Sequence, residues 1–395
     1  MRIAVALVAL FTLAASPGAA QAPRGWDAVR AFFAAGLQQH GIQGASLAFV
    51  HGPDLPGVVA IETAGVIDRA SGAPVTNETI YHWASITKTF TAVAIMQLRD
   101  RGLLTLDDPI VDYVPELAAV HNPHGKMRDI TIRHLLSHSA GFRGGTWPWG
   151  GDKSWHPFEP PGWEQVAAMM PYTEIMFEPG TRYSYSNPGI IFLGRVIEKL
   201  SGEPFETYIH KELLRPLGMN DAFFDRAPSS LRAKRSHSYY VADAGVTEAP
   251  FDFDTGITVS NGGLNAPVTD MARWIRFLIG GRPEYDDILK RRTLEEMFTP
   301  VVPVKADGMG EQGVGEGAMG LSFFLEKHGG LDLIAHSGSQ NGFLAHFYVH
   351  LPTRSGYIVA FNTETTSAAK GNQRNTRAFD AALRDVIVKH VWGAK

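Results

Sequence analysis

Tyr81-His-Trp-Ala-Ser85-Ile-Thr-Lys88-Thr-Phe-Thr-Ala-Val-Ala-Ile-Met-Gln-Leu98 is the stretch around which the rest of this 395-residue chain can be arranged. From Ser85 onward Ile86, Phe90, Val93, Ala94 and Leu98 recur every three to four residues, which predicts a helix with one apolar face. Ser85 falls in its first turn and Gly102 supplies a stop after Arg101. Ser85 and Lys88 are three residues apart, so their side chains share a face one turn apart. The positive end of the helix dipole and an apolar wall would disfavour the ammonium form of Lys88, leaving it able to accept a proton. A lysine base beside a serine is one way to activate a weak hydroxyl nucleophile. Spacing alone does not establish that chemistry, because Ser367-Ala-Ala-Lys370 repeats it in a polar stretch with no apolar frame.

Working outward, Trp26 to His40 reads as an amphipathic helix closed by Gly41, and Ala45–His51 with Val58–Ala64 as a strand hairpin. Further helices are expected from Ile130 to His138 with Thr131 as cap, Gly189 to Leu200, Pro204 to Leu214, Thr269 to Ile279, and Arg377 to Val391. Strands are expected at Leu321–Glu326, Leu331–His336, Leu344–Leu351 and Tyr357–Asn362. Helix and strands, then many helices, then strands and a helix describe a sheet interrupted by an inserted helical region, an α+β chain with no βαβ alternation. The boundaries expected are a sheet domain at 21–84 and 320–395, and a mainly helical domain at 85–319. Within the latter, residues 142–163 hold four of the eight tryptophans in one Gly/Pro-rich loop. It reads either as a loop packed by its own aromatics or as an aromatic wall over a cleft.

Met1-Arg2, an uncharged run from Ile3 to Ala15, Ser16-Pro17-Gly18 and small residues to Ala20 read as a secretory signal occupying 1–20, cut after Ala20. The run is too short to span a bilayer, so no transmembrane anchor is expected, and the mature chain should be periplasmic or secreted. There is no cysteine, which excludes disulfides, thiolate metal sites and lipidation of an N-terminal cysteine. Loss of Arg2 takes the formal net charge from -4 to -5, and no basic block stands out, so nucleic-acid binding has no electrostatic support. The partner expected is a small-molecule or peptide substrate. Oligomeric state is not legible.

Two further elements can complete the Ser85/Lys88 pair. Tyr185-Ser-Asn187 puts a phenol and a carboxamide just before a helix. The phenol can relay a proton and the amide can hydrogen-bond Lys88 and a substrate carbonyl, or both simply cap the helix. His336-Ser-Gly338 closes one expected strand before Ser339. A glycine there lets substrate approach the backbone, and the next N–H can donate to an oxyanion. Other motifs lead elsewhere less well. Gly308-Met-Gly310-Glu-Gln-Gly313 has dinucleotide-fingerprint spacing but opens no helix, so no cofactor is expected. His134 and His138 share a helix face at i, i+4, yet no Glu follows His134 and no third ligand is evident, so no metal is expected. No Gly-x-Ser-x-Gly elbow is present.

Taken in order, the fragments Trp83-Ala-Ser85-Ile-Thr-Lys88, Gly102-Leu-Leu-Thr-Leu-Asp-Asp-Pro109, Ile130 to Gly141, Glu178-Pro-Gly180, Tyr185-Ser-Asn187, Pro216-Leu-Gly-Met219, Gly262-Gly-Leu264 and His336-Ser-Gly338 form one pattern. With them the chain resembles the serine β-lactamase and penicillin-binding-protein superfamily, on the branch of class C β-lactamases, D-alanyl-D-alanine carboxypeptidases and esterases. The resemblance implies an antiparallel sheet flanked by helices, an inserted all-helical domain, and a site between them. It implies acylation of Ser85, proton transfer shared by Lys88 and Tyr185, and an oxyanion hole from the backbone N–H groups of Ser85 and Ser339. Asn187 would orient Lys88 and substrate. The family's third motif is commonly Lys-Thr-Gly, whereas His336 stands here, so a substrate carboxylate would be held less firmly. Efficient β-lactam hydrolysis is therefore not expected. The readings kept open are a carboxypeptidase or esterase, a weak β-lactamase, and a non-catalytic relative binding peptidoglycan or a partner.

Overall fold

A computed structural model of the chain describes residues 22–52, 58–142, 162–304, 317–365 and 372–393. The signal stretch at 1–20, most of the tryptophan-rich loop, the Gly308–Gly313 run and the Ser367/Lys370 pair lie outside the described residues.

Nine strands form the main sheet: β1 (Gly44–His51), β2 (Val58–Asp68), β3 (Ala73–Pro74), β4 (Val302–Val304), β5 (Gly317–Met319), β6 (Phe324–His328), β7 (Leu331–Gln340), β8 (Phe343–His350) and β9 (Ser355–Phe361). Their order is β3-β2-β1-β9-β8-β7-β6-β5-β4, with every pairing antiparallel. The N-terminal hairpin thus joins strands from the far end of the chain through β1 and β9, where Leu47 faces Val359. The central strands are buried on both faces, as their continuous apolar runs require. On β9, Ile358 and Ala360 pack into one apolar cluster while Tyr357, Val359 and Phe361 pack into another on the opposite face.

Five longer helices position these clusters: α1 (Trp26–His40), α2 (Thr87–Asp100), α3 (Asn187–Ser201), α4 (Val268–Ile279) and α5 (Thr376–His390). α1 and α5 pack on each other and cover one face through Val29, Phe33, Phe379 and Leu383. α4 lies against β1 and β9 on the other face, with α2 and α3 beyond it. α2 is buried at every position from Thr87 to Leu98, so what reads as one apolar face is the centre of the molecule.

Three local differences from the sequence pattern have visible causes. The strand expected from Leu321 starts at Phe324, because Ser322 adopts φ 62° and Gly320 lies where a Cβ would meet the Met297 carbonyl at 2.3 Å. The helix expected from Pro204 to Leu214 is α-helical over Phe205–Ile209 and continues as a π-helical turn over His210–Leu214. The helix expected to run to His138 spans Ile132–Leu136, because His138 takes a left-handed φ of 52°. His134 and His138 therefore do not share a helix face.

Candidate active site

Ser85 sits in a 3-10 turn, Ala84–Ile86, immediately before α2. Ala84 holds φ 45°, a left-handed conformation that costs a non-glycine residue roughly 1–3 kcal/mol unless its surroundings fix it. They do. Trp83 donates its indole N–H to the Ala266 carbonyl (2.9 Å) and its backbone N–H to the Leu264 carbonyl (2.8 Å). The Thr87 hydroxyl donates to the Ala84 carbonyl (2.6 Å) and accepts from the Leu264 N–H (3.1 Å). The short strand Leu264–Pro267, paired with Ile80–His82, is the brace that makes these contacts possible.

Lys88 is fully buried. Its Nζ lies 2.8 Å from Ser85 Oγ and 2.9 Å from the Asn261 carbonyl. Asn261 belongs to a helical turn, Val259–Gly262, that leads into the bracing strand. It carries no motif signature, because its contribution is a main-chain oxygen. The aromatic ring of Tyr185 stands with its centroid 5.0 Å from Lys88 Nζ, and Tyr185 is itself buried. So Ser85, Lys88 and Tyr185, brought from two separate segments, do meet.

Asn187 begins α3, behind a cap in which Ser186 Oγ accepts from the Gly189 N–H at 3.2 Å. Its Oδ1 is buried with no partner among the described residues.

β7 brings the remaining candidates. β6 pairs with β7 only as far as Ala335, so the segment 336–340 passes beyond it toward Ser85. At Gly338 an added Cβ would lie 2.1 Å from the Trp83 carbonyl and 3.1 Å from the Ser85 backbone nitrogen, so only glycine lets the strand pass so close to Ser85. The neighbouring Ser339 turns its side chain away. Its Oγ donates to Glu364 (2.8 Å), and Glu364 is in turn bridged by Arg377 on α5 (3.0 Å).

His336 is fully buried and its Nδ1 lies 2.7 Å from the Ser337 carbonyl. A carbonyl only accepts, so Nδ1 carries the proton and Nε2 presents a lone pair. Desolvation above all, with the Lys88 amine nearby, lowers its pKa from 6.5 to about 3. His138 has the other tautomer. Its Nδ1 accepts from the Ser186 N–H (3.1 Å), which places its proton on Nε2, and burial, Lys88 and His336 lower its pKa well below the usual value. Its ring lies tilted against that of Tyr185, with centroids 4.5 Å apart. His82, third of the buried imidazoles here, pairs with Gln340 Oε1 at 3.1 Å and is pushed by burial to about 3.

Among the described residues, no three His, Asp or Glu side chains converge as a metal site. None of the described helices is long and apolar enough to cross a membrane. What the arrangement offers is a hydroxyl nucleophile with an amine in contact, a phenol beside that amine, and a strand backbone against the nucleophile's own N–H.

Comparisons with known proteins bear on this geometry. A family model described as Beta-lactamase matches residues 29–382. The D-alanyl-D-alanine-carboxypeptidase/endopeptidase AmpH of Escherichia coli is 26% identical over 278 residues, covering 68% of this chain and 67% of that protein. Esterase EstB of Burkholderia gladioli is 30% identical over 169 residues, covering 40% of this chain and 42% of its own. The chain spans 59% of the length of the Mycobacterium tuberculosis relatives it matches. The structure of the octameric penicillin-binding protein homologue from Pyrococcus abyssi superimposes with a TM-score of 0.71 at 29% identity, over 86% of this chain and 73% of that one.

Proposed function

This chain belongs to the beta-lactamase family, within the serine β-lactamase and penicillin-binding-protein superfamily, and on that premise we propose that it is an exported hydrolase that cleaves a neutral ester or amide through an acyl-enzyme on Ser85. The observation that carries the reading is the 2.8 Å contact between Lys88 Nζ and Ser85 Oγ. That is hydrogen-bond reach for a base and its nucleophile.

In this mechanism Ser85 Oγ attacks the substrate carbonyl as its proton passes to Lys88 Nζ. The developing oxyanion takes the backbone N–H groups of Ser85 and Ser339, a reading supported by the close approach of Gly338 to the Ser85 nitrogen. Such donors are typically worth ~3–4 kcal/mol each in the transition state. Tyr185, next to Lys88, passes a proton to the departing alcohol or amine. Asn187 steadies the substrate carbonyl side of the cleft. Water then takes the acyl group by the same steps in reverse, restoring Ser85.

The substrate class follows from His336. A buried neutral imidazole with a pKa near 3 offers no positive charge to a substrate carboxylate at neutral pH. Replacing a charge-assisted hydrogen bond by a neutral one forgoes about 1–2 kcal/mol. Esters and uncharged amides lose nothing by this, whereas β-lactams and C-terminal D-alanine do. That EstB is an esterase supports the ester arm. Export rests on the signal pattern at 1–20.

The test sets kcat/KM for p-nitrophenyl butyrate against that for benzylpenicillin. Preference for the ester by at least about tenfold is expected, given roughly 1.4 kcal/mol per factor of ten. Penicillin turned over as fast as the ester would overturn the substrate assignment.

A further inference from the structure

His138 appears in none of the roles above, yet its carbonyl, its Nδ1 and its ring all reach the segment that carries Tyr185. Its carbonyl accepts from the Ser184 N–H at 2.8 Å, and its Nδ1 accepts from the Ser186 N–H at 3.1 Å. Ser184 and Ser186 flank Tyr185, so one residue holds the backbone on both sides of the phenol. The His138 ring also lies against the Tyr185 ring, 4.5 Å between centroids and 31° between planes, while Lys88 Nζ stands 5.0 Å from the Tyr185 centroid. The left-handed φ of 52° is what makes this possible, because it takes His138 out of the preceding helix and turns its carbonyl and ring toward the same segment.

We propose that His138 is a positioning residue that clamps the Tyr183–Asn187 segment and so sets Tyr185 against Lys88 for proton transfer. The proposal rests on the role given to Tyr185 above.

The clamp needs a neutral ring, since a protonated Nδ1 cannot accept from the Ser186 N–H. The groups facing the ring are Lys88 from α2, His336 from β7, and Tyr183 and Tyr185 from the clamped segment. The first two oppose a charge on His138, and burial does the same. The clamp therefore persists across the neutral range.

Two substitutions separate the hydrogen bond from mere bulk. In His138→Asn, Oδ1 can take the place of Nδ1, and asparagine tolerates a left-handed backbone. In His138→Gln, the side-chain oxygen lies one carbon too far out to accept from Ser186. With p-nitrophenyl butyrate, His138→Gln is expected to lower kcat about 10- to 100-fold, below the 10²–10⁴ range for losing a proton-transfer group itself. KM should stay within about twofold and the pH dependence of kcat should shift, as expected for a misplaced proton donor. His138→Asn should return kcat to within about fivefold of the parent, with the parent's pH profile. Should His138→Gln not fold, His138→Gly is read against His138→Asn, because glycine keeps the left-handed backbone and removes the acceptor.

Unchanged kcat and pH profile in the Gln or Gly variant would overturn the clamp. So would an Asn variant as impaired as the others, since bulk alone would then explain the loss. Tyr185→Phe and Ser85→Ala run alongside. If these two keep full turnover, the mechanism itself fails; if they lose it while His138→Gln does not, only the clamp fails.

Discussion

The two faces of the sheet bury their polar groups in opposite ways. On the face toward Ser85, His82, His138 and His336 are all fully buried, each is hydrogen-bonded to an amide or backbone group, and each has its pKa lowered. On the face toward α5, carboxylates meet basic side chains: His346 Nδ1 lies 2.9 Å from Asp380, His328 Nε2 lies 2.6 Å from Glu326 on the same strand, and Arg377 pairs with Glu364 at 3.0 Å. Asp380 ties α5 to β8 through His346, and Arg377 ties it to the strand Thr363–Thr365 through Glu364. The neutral rings themselves bring no fixed negative charge beside Ser85, Lys88 and Tyr185. The first arrangement is suited to chemistry and the second to holding an element in place.

The largest effect separating the faces should come from Ser85→Ala. Turnover of p-nitrophenyl butyrate should fall by at least ~10³-fold while the melting temperature stays within a few degrees, because removing a nucleophile eliminates the covalent path but little packing. Gly338→Ala comes next. Its Cβ would enter the 2.1 Å space before the Trp83 carbonyl and push β7 from the Ser85 amide, so kcat should drop ~10²–10³-fold, as for loss of an oxyanion donor. Circular dichroism should show the fold retained.

Asp380→Asn tests the other face. Weakening the His346 pair should cost about 1–3 kcal/mol in urea unfolding, and kcat should remain within about twofold. An equal loss of activity there would erase the distinction between the faces.

The smallest effect is graded with pH. His82 and His336 titrate near 6.5 when unfolded and near 3 when folded. Between those values the unfolded chain binds more protons, so stability should be fully present above about pH 6.5 and decline as pH falls toward 3. Replacing His336 by Gln should flatten that decline in a urea series.

How much of this was legible beforehand depends on what carried the information. Ser85 and Lys88 sit one turn apart where an apolar helical period begins, and periodicity places them; Tyr185 lies before its helix and is reached through the family resemblance. The sheet could be read because the strands of the central sheet are apolar runs bounded by turn residues, although Ser322 delayed the start of β6 in a way that no pattern announces. Asn261 was invisible because a backbone carbonyl has no residue code. His138 was misread as part of a helical histidine pair, since its left-handed backbone is set by contacts with the 183–187 segment and not by its own neighbours in sequence. The pairing of Ser339 with Glu364 and Arg377 was likewise hidden, because it joins β7 to residues 25 and more positions away.

The most direct measurement is peptide-level mass spectrometry on protein quenched in acid during p-nitrophenyl butyrate turnover. The account predicts a butyryl group on the peptide containing Ser85, present in the parent and missing from Ser85→Ala. A butyryl group carried on another residue, or a Ser85→Ala variant that still turns over the ester at the parent rate, would contradict it.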